Sequence, residues 1–125
     1  MITKAQTEAR RKLTAALRSG QYRQVRARYD IEDTNQFCVL GLAYYLAYDK
    51  TAEARLDYQL MDELQVAYGL TRTQQSWLAQ NNDAVAMTQL DFVGLADLLD
   101  RMTWIDQHLD DRGEPKRARK HVDAS

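Results

Sequence analysis

Apolar positions recur every three or four residues in the first stretch of the chain. Ala5, Ala9, Leu13, Ala16 and Leu17 share one face, which predicts an amphipathic helix over residues 4–18. Thr3 and Gln6 have the spacing of a capping box, in which each side chain satisfies an orphan backbone N–H of the other. Gly20 is placed to end the helix in a left-handed conformation. The pattern then changes. Tyr22, Val25, Ala27, Tyr29 and Ile31 alternate in part with Arg23, Arg26, Arg28, Asp30 and Glu32. That period of two predicts one short strand or hairpin near residues 25–32, which needs another segment to pair with.

Residues 37–49 are apolar nearly all round, from Phe37 and Cys38 through Leu42, Ala43 and Leu46, with tyrosines at 44, 45 and 48. A helix of this kind is buried on most sides. Asp33 or Thr34 is the expected cap, since Asp33 and Gln36 repeat the capping-box spacing. Gly41 in the interior costs about 1 kcal/mol relative to Ala, which a neighbour packed against bare backbone would explain. Residues 51–60 read as a loop or short helix. Leu60, Met61, Leu64 and Tyr68 predict a helix ending at Gly69. Thr71 and Gln74 open another, running to Gln80, and Asn81, Asn82 and Asp83 form a turn cluster. A last helix is expected from about Thr88, with a core face of Phe92, Leu95, Ala96, Leu99 and Met102, continuing toward Leu109. Together these elements predict a mainly α, compact single domain over residues 1–109. Four to five helices surround the central helix at 37–49, and a flexible charged tail follows over 110–125.

Composition supports that class. At 125 residues, with 45% hydrophobic and 28% charged positions, the chain is of single-domain size and can bury roughly two thirds of its unfolded surface. No apolar run approaches the ~20 residues needed to span a bilayer. The polar, basic first twelve residues lack a signal-peptide core. Cys38 is the only cysteine, which excludes an internal disulfide and suits a reducing cytoplasm. The net charge of −1 conceals segregation. Residues 1–28 hold eight Lys/Arg against one Glu, whereas residues 29–109 hold four against thirteen Asp/Glu. Either the basic helix and acidic body attract each other within the fold, or Arg10, Arg11, Arg18, Arg23, Arg26 and Arg28 form a basic face for nucleic acid or an acidic partner.

Candidate chemistry is sparse. Cys38 falls in the first turn of the expected central helix, where the dipole and free N–H groups lower a thiol pKa. A nucleophilic cysteine also needs a base, and His108 and His121 lie in no recognisable motif. Buried packing is the competing reading of Cys38. Asn82 and Asp83 suit either substrate orientation or turn formation. Asp97 and Asp100, one turn apart, suit a solvated face. Metal-ligand spacing of Cys and His is absent, as is a glycine-rich phosphate loop, so neither metal nor cofactor is expected.

Four blocks nonetheless resemble a known pattern. They are Leu13-Thr-Ala-Ala-Leu-Arg-Ser-Gly-Gln-Tyr-Arg-Gln24, Phe37-Cys-Val-Leu-Gly-Leu42, Asn82-Asp83 and Asp91-Phe-Val-Gly-Leu-Ala-Asp-Leu-Leu-Asp100. In order, they resemble an uncharacterised family of small bacteriophage and prophage proteins. Its pattern is Ala-Leu-Arg-Ser-Gly-x-Tyr-x-Gln, Phe-Cys-Cys-Leu-Gly, Leu-Asn-Asp and Phe-x-x-Ile-Ala. Tyr68-Gly-Leu-Thr-x-x-Gln-Gln75 resembles the family's link between the later blocks. Val39 departs from the usual second cysteine, Val25 and Ala27 from frequent glycines, and residues 84–88 look inserted. The resemblance implies a phage setting rather than an activity. It marks Tyr22, Gln24, Cys38, Asn82 and Asp83 as a candidate shared polar site. The leading expectation is a non-catalytic accessory protein in the host cytoplasm that binds and modulates a host macromolecule, such as a defence or regulatory component. The alternatives are a small-molecule binder or Cys38-dependent enzyme, with Gln24 donating to an oxyanion, and a nucleic-acid binder using the basic first helix.

Overall fold

Thr3 and Gln6 close the expected capping box, the Thr3 side chain accepting from the Gln6 N–H and the Gln6 side chain from the Thr3 N–H. Helix α1 (Lys4–Ser19) follows and ends at Gly20 in a left-handed conformation, φ 78°. A computed structural model describes residues 2–26, 28–31, 34–52, 56–83, 90–109 and 114–115. Among these, the further elements are β1 (Arg23–Gln24), β2 (Asp30–Ile31), β3 (Gln36–Phe37), α2 (Val39–Tyr48), α3 (Asp57–Tyr68), α4 (Arg72–Asp83) and α5 (Phe92–His108). The protein is thus mainly helical with a small three-stranded sheet.

The expected strand exists as β2, and its partner comes from a segment read as helix. β3 lies at the centre of the sheet, antiparallel to β2 and parallel to β1. Helix α2 therefore does not start at Asp33 or Thr34. Gln36 and Phe37 are committed to the ladder, Asn35 turns the chain with φ 60°, and Cys38 is the N-cap. Asp33 itself, like Thr88 and most of the tail over 110–125, lies outside the described residues.

Helix α2 is buried from Val39 to Tyr44, while Leu46 and Ala47 in its last turn reach the surface. It packs on α1, α3 and α4, and α1 packs most broadly against α5. The shared core includes Leu13, Leu42, Leu64, Leu78, Leu95 and Leu99, all fully buried. Helix α3 begins at Asp57, earlier than the periodicity alone indicates, and ends at Gly69 with φ 67°. Thr71 and Gln74 form the expected reciprocal cap of α4. Helix α5 starts at Phe92, with the Asp91 carboxylate accepting from the Gly94 N–H at 2.8 Å. Among the described residues no helix is long and apolar enough to cross a membrane.

Candidate functional site

The sequence blocks converge on the N-terminal end of α2. Asn82 was expected in a turn, yet it occupies the last turn of α4 and is fully buried. Its Oδ1 accepts from the Val39 N–H at 3.1 Å and from Gln24 Nε2 at 3.0 Å. Its Nδ2 donates to the Val25 carbonyl at 2.9 Å and to Asp83 Oδ1 at 3.0 Å. An asparagine side chain has two donor hydrogens and two acceptor lone pairs, and all four are used. Gln24 Nε2 spends its second hydrogen on the Leu90 carbonyl, 2.9 Å away. Both hydrogens are therefore committed, and Gln24 has none to offer an oxyanion. The pair links β1, the start of α2, the end of α4 and the approach to α5. Tertiary bonds of this number outweigh the turn preference of an Asn-Asn-Asp run.

Cys38 lies beside this network and is 5% exposed. Its Sγ accepts from the Gly41 N–H at 3.3 Å, so the thiol performs the capping role normally taken by Ser, Thr, Asp or Asn. Burial pushes the thiol up to about 12, with the Asp83 and Asp30 carboxylates adding to it, while the N–H groups of the helix start pull the other way. The helix-terminus effect read from the sequence is present but loses to desolvation. A protonated, capped thiol is a poor nucleophile.

Tyr22 completes the picture on the apolar side. Its ring meets Phe37 edge-on with centroids 5.7 Å apart, and Phe37 in turn packs on Tyr45 at 5.1 Å. Phe37 belongs to the core, and Tyr22 and Tyr45 pack against it.

Of the five residues grouped as a polar site, Cys38 and Asp83 border a solvent-open cleft of about 330 Å³ between the loop before β2, the start of α2, α3 and α4. Gln24, Asn82 and Tyr22 do not line it. Arg28, Asp57, Met61 and Gln75 do, and Tyr29 Oη spans part of the rim by donating to Asp57 Oδ1 at 2.9 Å. Gln75 entered the sequence reading only as the end of the linking block, not as a site residue. Its signal was positional: it stands three residues before Leu78 and seven before Asn82, on the buried face of α4. Among the described residues no group of three His, Cys, Asp or Glu side chains is placed to hold a metal ion.

The basic face divides. Arg10 does not belong to it, being 1% exposed. Its guanidinium donates to the carbonyls of Tyr68 (2.7 Å) and Gly69 (2.9 Å) at the end of α3 and pairs with Asp106 at 2.8 Å. Burial lowers its pKa, and Asp106 opposes that shift. The sequence carried this signal too, since Arg10 shares a helix face with Leu13 and Leu17. Arg11 pairs with Glu8, and Arg18 bridges Asp97 and Asp100, each at 2.7 Å. Arg23, Arg26 and Arg28 are exposed along and after β1. Arg10 and Arg18 thus meet acidic residues across the α1–α5 contact, so that part of the attraction is internal to the fold.

The chain matches no family model, no curated protein and no solved structure.

Proposed function

We propose that this is a non-catalytic accessory protein of phage or prophage origin, acting in the host cytoplasm by binding and modulating a host protein. The observation that carries the reading is that all four bonding positions of Asn82 and both amide hydrogens of Gln24 are committed within the fold, beside a thiol held protonated. Asn82, Gln24 and Cys38 maintain shape, and none of the three is poised for chemistry. What the chain offers outward is contact surface. Trp104 and Ile105 are adjacent on α5 and 54% and 46% exposed, with Asp100, Arg101 and His108 around them in sequence. An exposed aromatic bordered by charge is the composition of protein-binding hot spots. The block resemblance supplies the phage setting, and the proposed target is a host component such as a defence or regulatory protein.

The test is affinity capture from host lysate with the wild-type chain and with the double variant Trp104→Asp, Ile105→Asp. One host protein enriched by wild type and lost with the folded double variant is the expected result. Equal capture profiles would overturn the reading. A nucleic-acid role is less favoured, because Arg10, Arg11 and Arg18 are engaged in ion pairs.

A further inference from the structure

We propose that Arg10 is a positioning residue for the contact surface on α5: through Thr103 and Asp106 it latches the last turns of that helix and sets the directions in which Trp104 and Ile105 face. The inference rests on the reading of those two side chains as a contact surface, and its test does not need the partner.

The starting point is where the core stops. Helix α5 is buried at Phe92, Leu95, Ala96, Leu99 and Met102. Beyond Met102 no residue of the helix is buried, and none contributes to the hydrophobic core. The segment that carries Trp104 and Ile105 therefore lacks the apolar packing that holds the rest of α5 in helical form.

Polar bonds take over. Arg10 Nη1 donates to Thr103 Oγ1 at 3.3 Å and pairs with Asp106 Oδ2 at 2.8 Å. Gln74 Nε2 reaches the same Oδ2 from α4 at 3.0 Å. The Thr103 hydroxyl gives its hydrogen to the Leu99 carbonyl at 2.9 Å, which leaves its lone pairs to accept from Arg10. On its other side the guanidinium is tied to the Tyr68 and Gly69 carbonyls, so it cannot swing to follow a loose helix end. The planar fork of arginine suits this role, because one rigid group spans partners on α3 and α5. Thr103 and Asp106 lie one turn apart, on one face of the helix. Holding both fixes the rotation of the helix about its axis. Trp104 and Ile105 lie between them in sequence and are exposed. A surface ordered before binding spares a partner the entropy of ordering it.

Native-state amide hydrogen exchange on the full-length protein tests the latch. In the wild type, residues 104–108 are expected to exchange through a local opening with weak urea dependence, and Leu95 and Leu99 only through global unfolding. Thr103→Val removes the hydroxyl at nearly constant shape. Gln74→Glu keeps the acceptor for the Thr71 N–H and removes the donor to Asp106. Each is expected to speed exchange at 104–108 roughly five- to tenfold and to lower the order parameter of the Trp104 indole N–H. Leu64→Val, a core change on α3, is expected to speed the globally exchanging amides and leave 104–108 as they were. The proposal is overturned if 104–108 exchange only by global unfolding in the wild type. It is also overturned if Thr103→Val and Gln74→Glu lower stability without speeding those amides, or if the indole stays equally ordered. Should neither variant fold, the urea dependence in the wild type decides. Unchanged capture from lysate would remove the partner and leave these exchange results standing, so the two readings fail separately.

Discussion

The carbonyl oxygen of Tyr29 lies 1.8 Å from where a Cβ on Gly41 would sit. The loop before β2 therefore rests directly on the bare backbone of α2, and the same carbonyl accepts from the Cys38 N–H at 2.8 Å. One contact closes the sheet onto the helix and accounts for a glycine in a helix interior.

Gly41→Ala tests this relationship. On propensity alone the substitution would stabilise by about 1 kcal/mol. Because the obstructing atoms are backbone and cannot swing away, a net loss of about 2–3 kcal/mol is expected, read from the midpoint of urea unfolding. A neutral or stabilised variant would show that the loop does not sit where it is described.

Asn82 is expected to be the most sensitive polar position. Asn82→Ala strands the buried N–H of Val39 and the carbonyl of Val25, for a loss of about 3 kcal/mol. Asn82→Asp keeps the acceptors but removes both donors and sets a second carboxylate beside Asp83, so it should do at least as much harm. Gln24→Ala should cost less, about 1–2 kcal/mol. The double variant should fall short of the sum of the singles by more than about 0.5 kcal/mol, the signature of a shared network.

The six arginines should separate by burial rather than by place in the sequence. Asp106→Ala leaves the Arg10 guanidinium buried without its counter-charge and is expected to cost about 3 kcal/mol or more. Arg18→Ala, which breaks a solvent-screened bridge to Asp97 and Asp100, should cost under about 1 kcal/mol, and less still in high salt. Denaturation at low and high ionic strength distinguishes the two.

Local signals were legible in the sequence and non-local ones were not. The caps Thr3 with Gln6, Thr71 with Gln74, and the terminating glycines Gly20 and Gly69 each depend on a few neighbouring residues, and all hold. The start of α2 was misplaced because Gln36 and Phe37 are drawn into a ladder with Arg23 and Asp30, partners a local window does not contain. Asn82 stays helical for the same reason, through bonds to Val25, Gln24 and Val39. At the candidate site, Gln24, Asn82 and Asp83 are joined by hydrogen bonds, and spacing alone could not say that they satisfy one another. Gln75 and Arg10 were readable only as polar residues on apolar faces, a pattern easily taken for noise.

Alkaline pH should reveal the buried thiol. The folded protein holds Cys38 up to about 12 against an ordinary value of 9.0. Between those values the unfolded chain loses the proton first, so the contribution is complete below pH 9 and declines as pH rises toward 12. Tyr68, raised by burial as well, acts in the same direction. The wild-type unfolding midpoint should therefore fall more steeply between pH 9 and about 10.5 than that of Cys38→Ala. Equal slopes would mean the thiol is not held protonated.

The most direct measurement is the rate at which iodoacetamide modifies Cys38 across a urea series at fixed pH, with the pH dependence taken in the absence of urea. A thiol that caps α2, is only 5% exposed and is held protonated is expected to react mainly through opened molecules, with a rate that rises with urea in step with the unfolded fraction. Rapid, urea-independent modification of the folded protein, with an apparent pKa at or below about 8.5, would contradict a structural role for this cluster and restore Cys38 as a nucleophile.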